Sequence, residues 1–188
     1  MEKKYKTILI DPPWPVKFIE LDMRPNQKEM PYRTMTLDEI AEMHIDKVAD
    51  ENCNLFCWTT HTFLPATFEI IKGWGFKYHC TLTWNKGNGR PHFGFKRNTE
   101  FVVYAYKGKI TVKQRGQFIK TLIDDSIPDL FHERLTVHSR KPTIFYKILE
   151  NNTPAPRLEI FARNKRAGWD VFGNEVASDI QLIREKVL

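Results

Sequence analysis

The reading of this chain turns on ten residues near its start, Tyr5-Lys-Thr-Ile-Leu-Ile-Asp-Pro-Pro-Trp14. Tyr5–Ile10 is a short apolar run of the kind a buried strand carries, and it closes on Asp11 and two prolines. Neither proline donates a backbone N–H, so a sheet ladder must stop there. The strand therefore delivers a carboxylate at its carboxyl end, which is where open α/β sheets collect their ligands.

Elements on either side fit an alternating α/β chain. Thr36-Leu-Asp-Glu39 has the form of a capping box and predicts a helix running to about Val48. Asn54–Thr60 predicts a second strand. Phe63–Lys72 predicts a helix, with Leu64, Phe68 and Ile71 on one stripe and Gly73 as its stop. Phe76–Trp84 and Thr99–Tyr106 predict further strands. In Thr99–Tyr106 both alternating sets are largely apolar, which predicts a central strand covered on both faces. Lys141-Pro142 opens another helix with Ile144, Phe145, Ile148 and Leu149 on one stripe. Arg157–Ala162 predicts a late strand, and Ala177–Lys186 a terminal helix. Residues 15–33 lack periodicity, include Pro25 and Pro31, and read as a long loop of the kind that often serves as a lid. The expected fold is a single α/β domain over 1–188, a Rossmann-like sheet with helices on both faces.

Composition narrows the function. The chain has 188 residues, room for one substantial core. Its hydrophobic fraction of 41% and aromatic fraction of 13% suit a packed domain rather than a disordered segment. No apolar run approaches the roughly 20 residues that span a bilayer, and the opening Met-Glu-Lys-Lys has no signal-peptide pattern, so a cytoplasmic location is expected. Cys53, Cys57 and Cys80 read as reduced, buried thiols. No second ligand pair at finger spacing exists, so no metal is expected. The net charge of +6 favours a polyanionic partner.

The tetrapeptide Asp11-Pro12-Pro13-Trp14 has the parts needed to methylate an exocyclic amine. Such a nitrogen is a poor nucleophile because its lone pair is delocalised into the ring. A site must hold its two protons with fixed acceptors while the nitrogen pyramidalises. A carboxylate and a stiff backbone carbonyl at a strand end do this, and a neighbouring aromatic ring offers a surface to a flat base. Read blandly, the same string is a turn with Trp14 packed on the surface.

Further segments decide between the two. Tyr32-Arg-Thr-Met35, Leu55-Phe-Cys-Trp58, Trp74-Gly-Phe76, Arg97-Asn-Thr-Glu100, His138-Ser-Arg-Lys-Pro142, Glu159-Ile-Phe-Ala-Arg163, Gly168-Trp-Asp170 and Gly173-Asn-Glu175 follow in order. With the tetrapeptide they resemble the MT-A70 family of S-adenosylmethionine-dependent adenine-N6 methyltransferases, over roughly residues 5–176. The resemblance implies a class I methyltransferase fold in the circularly permuted β-type order, with the amine-binding tetrapeptide before the ribose-binding residues. It implies that Asp11 and the Pro12 carbonyl hold the target amine, with Pro13 stiffening the segment and Trp14 lining the base pocket. Lys141 would pair with the cofactor's carboxylate, Arg163 and Asn164 would contact its methionine part or ribose, and Asn174 with Glu175 would hold the ribose hydroxyls. Glu159 would orient Arg163. Family members often carry more chain before the tetrapeptide, some of it contacting the cofactor's adenine, and that contact has no assignment here.

The stretch 84–97 holds four Lys/Arg, no acid, three aromatics and three glycines. It reads as a flexible loop that tracks phosphates and stacks bases, with Lys86, Arg90, His92, Phe93, Lys96 and Arg97 as contacts and Arg140 adding charge. Its bland reading is a solvated surface loop. Lys107–Lys120, with five cations and no acid, is a second basic stretch, equally read as a hairpin facing water. A small chain without a separate recognition domain is expected to take single strands more easily than duplex, where the adenine must be flipped out at a cost of a few kcal/mol. DNA is favoured over RNA. A competing reading is a non-catalytic nucleic-acid-binding subunit supporting an active partner; another is a cytosine-N4 methyltransferase, which more typically has Ser in place of Asp11. A homodimer or a heterodimer with a related methyltransferase is plausible on the family's habit of working in pairs.

Overall fold

A computed structural model describes residues 3–16, 33–113, 119–124 and 141–182, with the backbone alone for 88–92. Most of the expected loop over 15–33 lies outside these residues, as do Arg140 and the end of the expected terminal helix. Among the described residues are seven strands: β1 (Tyr5–Ile10), β2 (Ala49–Thr59), β3 (Lys77–His92), β4 (Phe95–Lys107), β5 (Leu122–Asp124), β6 (Arg157–Ile160) and β7 (Asp170–Phe172). The helices are α1 (Leu37–Ala41), α2 (Ile45–Val48), α3 (Leu64–Gly73) and α4 (Thr143–Asn152). No described helix is long and apolar enough to cross a membrane.

The strands form one mixed sheet in the order β5-β3-β4-β2-β1-β6-β7. β1 pairs in parallel with β2 on one side and β6 on the other, and β6 with β7. β4 runs antiparallel to both β2 and β3. From β1 the chain builds outward through β2, then returns to lay β6 on the opposite side. Connections that diverge this way leave a crevice at the carboxyl ends of the central parallel strands.

Alternation along the strands explains the layering. Ile8 and Ile10 join Leu55, Cys57, Val103 and Ala105 in a cluster with Ile40, Met43 and Ile45 and with Ile70 and Ile71 of α3. Leu9 faces the other way, with Phe56, Trp58, Val102, Tyr104 and the Phe145 and Leu149 rungs of α4. Helices thus cover both faces, and β4 is the doubly covered central strand its apolar run predicts. Truncating a fully buried member such as Ile8 to Ala would cost about 2–5 kcal/mol.

Several expectations are corrected. The capping box at Thr36 forms in full, Thr36 Oγ1 accepting from the Glu39 N–H and Glu39 Oε2 from the Thr36 N–H, yet the helix does not continue to Val48. It breaks after Ala41 and restarts at Ile45. In an unbroken helix Ile45 would lie about 140° around the axis from Ile40; the break lets both reach the same core, where both are fully buried. Residues 84–97 are not a loop. They form the outer half of the β3–β4 hairpin, closed by Phe93-Gly94. Glycines and cations suggested a loop, but cross-strand pairing overrides them. Ala177–Leu182 are not helical. Instead the Val171 N–H donates to Asp179 Oδ2 and the Asp179 N–H donates back to the Val171 carbonyl, capping the edge of β7.

Candidate active site

The tetrapeptide sits at the carboxyl end of β1, in the crevice. The Asp11 N–H still reaches the Ile160 carbonyl of β6 at 3.4 Å, and then the prolines end the ladder. The chain turns tightly: the Trp14 N–H donates to the Pro12 carbonyl at 2.8 Å and the Met35 N–H to the Pro13 carbonyl at 2.9 Å. The Pro12 carbonyl keeps a second lone pair for another donor. Trp14 is the anchor. Its ring is buried, stacks on Phe63 with centroids 5.4 Å apart, and Nε1 donates to the Trp58 carbonyl at 3.1 Å.

Lys141, immediately before α4, crosses to this strand end. Its Nζ lies 3.2 Å from Asp11 Oδ2 and 3.2 Å from Glu100 Oε2, and 4.9 Å from the centroid of the Trp58 ring beneath it. Glu100 enters because β4 is antiparallel to β2: with Thr59 opposite Phe101, the start of β4 lies beside the carboxyl end of β2. Lys86 completes the cluster with Nζ 2.6 Å from Glu100 Oε1. An irregularity in the β3–β4 register between Asn85 and Arg90 surrounds Lys86. Lys86, expected to meet nucleic acid, thus also belongs to the active-site charge network.

Burial sets the protonation of this cluster first, and the pairing sets it second. Burial pushes the Asp11 carboxyl up, Lys141 pulls it down, Glu100 pushes it up again, and the net direction is up. Glu100 is also penalised by burial, but Lys141 and Lys86 together hold it below its ordinary range. Burial disfavours the Lys141 ammonium, yet the two carboxylates outweigh that and hold it charged. The two carboxylates sharing one lysine are thus pushed in opposite directions, Asp11 up and Glu100 down.

Across the crevice, β6 ends at Phe161, whose φ of 65° is left-handed, and Ala162 then pairs back to the Phe172 carbonyl. Because β6 and β7 are parallel with Ile160 opposite Phe172, residues just past each end are neighbours. Arg163 Nε accordingly lies 3.5 Å from Glu175 Oε1, with Asn164 and Asn174 exposed beside them. Glu159, one strand over from Leu9, accepts from Tyr146 Oη at 2.6 Å. Burial raises its carboxyl, against the pull of Tyr146 and Arg166. The Arg166 guanidinium lies 3.9 Å from the Tyr146 ring centroid.

The structure thus brings Asp11, Pro12, Trp14 and Lys141 together at one strand end, with Glu159, Arg163 and Glu175 at the ends of the strands beside it. The mixed donor set suits a ligand bearing carboxylate, ammonium and diol groups. Among the described residues no group of three or more His, Cys, Asp or Glu is placed to hold a metal. Sequence reasoning did not assign Glu100 or Tyr146 a role. Glu100 had a signal: it is the lone charge in the otherwise uncharged stretch Thr99–Tyr106. His61 also lies on the rim, its Nε2 2.9 Å from Thr99 Oγ1 and its ring edge-on to Phe101. Arg97 NH1 donates to Thr62 Oγ1 at 3.0 Å, tying the base of the hairpin to the same rim. Phe93 and Lys96 are exposed further along the hairpin, and Arg90 and His92 lie on its β3 strand.

Comparison with known proteins gives this geometry its context. The MT-A70 family model matches residues 5–175. The type II methyltransferase M.MunI of Mycoplasma sp is 28% identical over 194 residues, an alignment covering 93% of this chain and 78% of that protein. The N(6)-adenine-specific methyltransferase METTL4 of Homo sapiens is 27% identical, with 93% of this chain aligned to 38% of that protein. The N(6)-adenosine-methyltransferase catalytic subunit METTL3 of Homo sapiens is 25% identical, with 92% aligned to 28%. The chain spans well under half the length of these two larger relatives.

Proposed function

The chain belongs to the MT-A70 family of adenine-N6 methyltransferases, and from that premise we propose that it methylates the N6 amine of adenine in nucleic acid, with S-adenosylmethionine as methyl donor and DNA as the favoured substrate. The observation that carries this reading is the Asp11–Lys141–Glu100 cluster at the carboxyl end of β1. The DNA preference is supported by the similarity to a type II methyltransferase along most of that relative's length.

The bound donor supplies an electrophilic methyl group, so the protein's task is to make the amine nucleophilic. Asp11 and the Pro12 carbonyl accept the two amine hydrogens, and the stiff Pro12-Pro13 pair keeps those acceptors fixed as the nitrogen pyramidalises. The raised basicity of Asp11 also suits it to receive the proton the nitrogen sheds after transfer. Lys141 favours the ionised form of Asp11 against the burial that disfavours it. Lys141 and Arg163 are the cations for the donor's carboxylate, Asn164 lies beside Arg163, and Asn174 with Glu175 suits its ribose diol. Glu159, held by Tyr146, shapes the β6 side of that crevice. Trp14 holds the tetrapeptide against Phe63 and the base pocket's wall. Lys86, Arg90, His92, Phe93, Lys96 and Arg97 are the residues we assign to nucleic-acid contact, and Arg140, outside the described residues, is assigned with them from the sequence alone.

The test is to incubate the protein with S-adenosylmethionine and, separately, unmodified single-stranded DNA, duplex DNA and RNA, then quantify nucleosides by mass spectrometry. N6-methyladenine in one pool establishes the reaction and names the substrate. No product from protein that binds the donor points to a missing partner subunit. Absence of donor binding by calorimetry favours the non-catalytic subunit.

A further inference from the structure

The β3–β4 hairpin ends in an unusual turn. His92 and Phe95 pair across it, so the connection is a two-residue loop, Phe93-Gly94. Both residues have positive φ, 45° at Phe93 and 82° at Gly94. That is the type I′ pattern, which matches the twist of the flanking strands and is best served by Asn-Gly. Gly94 fits. Phe93 does not, because its β-carbon is crowded in the left-handed region. Yet Phe93 is 84% exposed and Phe95 76% exposed. A strained backbone holds one large apolar ring in solvent with another two residues on. Strain of this sort gathers where function needs it.

The stem below the tip is basic. Residues 85–99 include Lys86, Arg90, Lys96 and Arg97 and no Asp or Glu. β4 runs without interruption from Phe95 to Glu100 in the active-site cluster, about 17 Å at the usual strand rise. An aromatic tip on a cationic stem, joined through β4 to the catalytic end of the sheet, matches a polyanion that carries flat rings.

We propose that Phe93, backed by Phe95, is a stacking finger for an unpaired base of the nucleic-acid substrate, roughly five stacked nucleotide steps from the target adenine. The proposal rests on the nucleic-acid reading above and adds a second subsite to it. A base within a duplex has both faces covered by its neighbours, so a ring presented on a fingertip selects a single-stranded segment.

The informative variant is Phe93→Asn, because Asn-Gly is the preferred sequence for this turn and the hairpin is expected to keep or gain thermal stability. Binding is read by fluorescence anisotropy and turnover by KM, on two single-stranded oligomers: one of about twenty nucleotides with a central adenine, and one with only about two nucleotides on each side, too short to reach the tip. On the long oligomer the variant is expected to bind about tenfold more weakly, in line with losing one base–aromatic stack. On the short oligomer wild type and variant should agree. Phe95→Ser should act in the same direction. Equal affinity of wild type and Phe93→Asn for the long oligomer overturns the finger, as does equal impairment on both lengths. A change in sedimentation with unaltered affinity also overturns it and assigns the tip to contact between copies of the chain. Should wild type methylate nothing, donor binding decides between a missing partner and a non-catalytic subunit, while the anisotropy comparison alone decides the finger.

Discussion

Lys141 Nζ lies 3.2 Å from Asp11 Oδ2, a contact that joins the end of β1 to the start of α4. The same ammonium is 3.2 Å from Glu100 Oε2. One cation therefore sets the protonation of two carboxylates that reach the crevice from different strands. Glu100 also pairs closely with Lys86, whereas burial weighs most on Asp11 against the pull of Lys141 and Arg163, so the two acids shift in opposite directions.

The most direct consequence concerns Asp11. Asp11→Asn keeps the shape of the side chain and removes its charge and basicity, replacing one acceptor with an amide that also donates. Turnover should fall by a factor of about a hundred or more, the usual scale for losing a fixed catalytic acceptor or base. Asp11 sits beyond the strand rather than in the core, so folding should survive. Near-wild-type kcat in this variant, measured with saturating donor, ends the mechanism.

The pH dependence follows from the same cluster. Asp11 must be ionised to accept from the amine, so kcat/KM should fall as pH drops through its pKa. Burial first, and Glu100 with it, place that limb above the ordinary aspartate value of about 3.9. Glu100→Gln removes the repelling charge and leaves Lys141 to Asp11 alone. The acid limb should move to lower pH. A limb that moves upward in the pH–rate profile contradicts this assignment.

Lys141→Met tests the cluster as structure. It leaves two carboxylates facing each other without their shared cation, and removing one partner of a buried pair costs about 3–5 kcal/mol. Asp11 is 33% exposed, so solvent screening should reduce this to about 1–3 kcal/mol at neutral pH. Without Lys141 both acids have raised pKa values, and raised carboxyls destabilise the fold only while ionised. The deficit in thermal stability should therefore shrink as pH falls and the pair takes up a proton. A deficit that grows on acidification excludes the idea.

How much of this was legible in the sequence depends on the range of the interactions. β1, α3 and α4 were readable because burial imprints a local pattern, an unbroken apolar run in Tyr5–Ile10 and one-sided stripes around Ile71 and Phe145. Asp11 at a strand end followed from two prolines. The break at residues 42–44 was not readable, since it serves the placement of Ile45 in a core assembled from distant strands. The β3–β4 arm was hidden because Gly87, Gly89 and Gly94 weigh toward a loop, while its order comes from pairing with residues some distance along the chain. β5 and β7 have three residues each, too few to show a period. Glu100 became part of the site only when antiparallel pairing carried the start of β4 to the end of β2.

Tyr146 makes a separate prediction on the β6 side. Its hydroxyl donates to Glu159 at 2.6 Å, while its ring packs edge-on to Trp169 and beneath Arg166. Tyr146→Phe keeps the ring and removes the donor. Burial already raises the Glu159 carboxyl, and losing the hydrogen bond raises it further. Affinity for S-adenosylmethionine should then weaken several-fold and become more sensitive to acidification, as read by calorimetry across pH. Identical affinity and pH profile in the variant exclude Glu159 from the donor site.

The last prediction concerns Gly173, between β7 and the Asn174-Glu175 pair. A β-carbon there would lie 2.1 Å from the Ala162 carbonyl oxygen and 3.0 Å from the Ala162 nitrogen. These are backbone atoms, held by the hydrogen bond from the Ala162 N–H to the Phe172 carbonyl, and cannot move aside as a flexible side chain does. Gly173→Ala must therefore push apart the carboxyl ends of β6 and β7. It should cost about 1–3 kcal/mol, the usual range for overpacking. The displaced segments carry Arg163 on one side and Asn174 and Glu175 on the other, so the Arg163–Glu175 pair at 3.5 Å should loosen as well. Donor affinity is expected to fall by more than any change caused by a core truncation in the cluster on the opposite face of the sheet from α4, such as Ile40→Ala. Comparing the two variants by calorimetry separates the effects: equal donor affinity in both, at matched stability, would show that the ends of β6 and β7 do not shape the donor site.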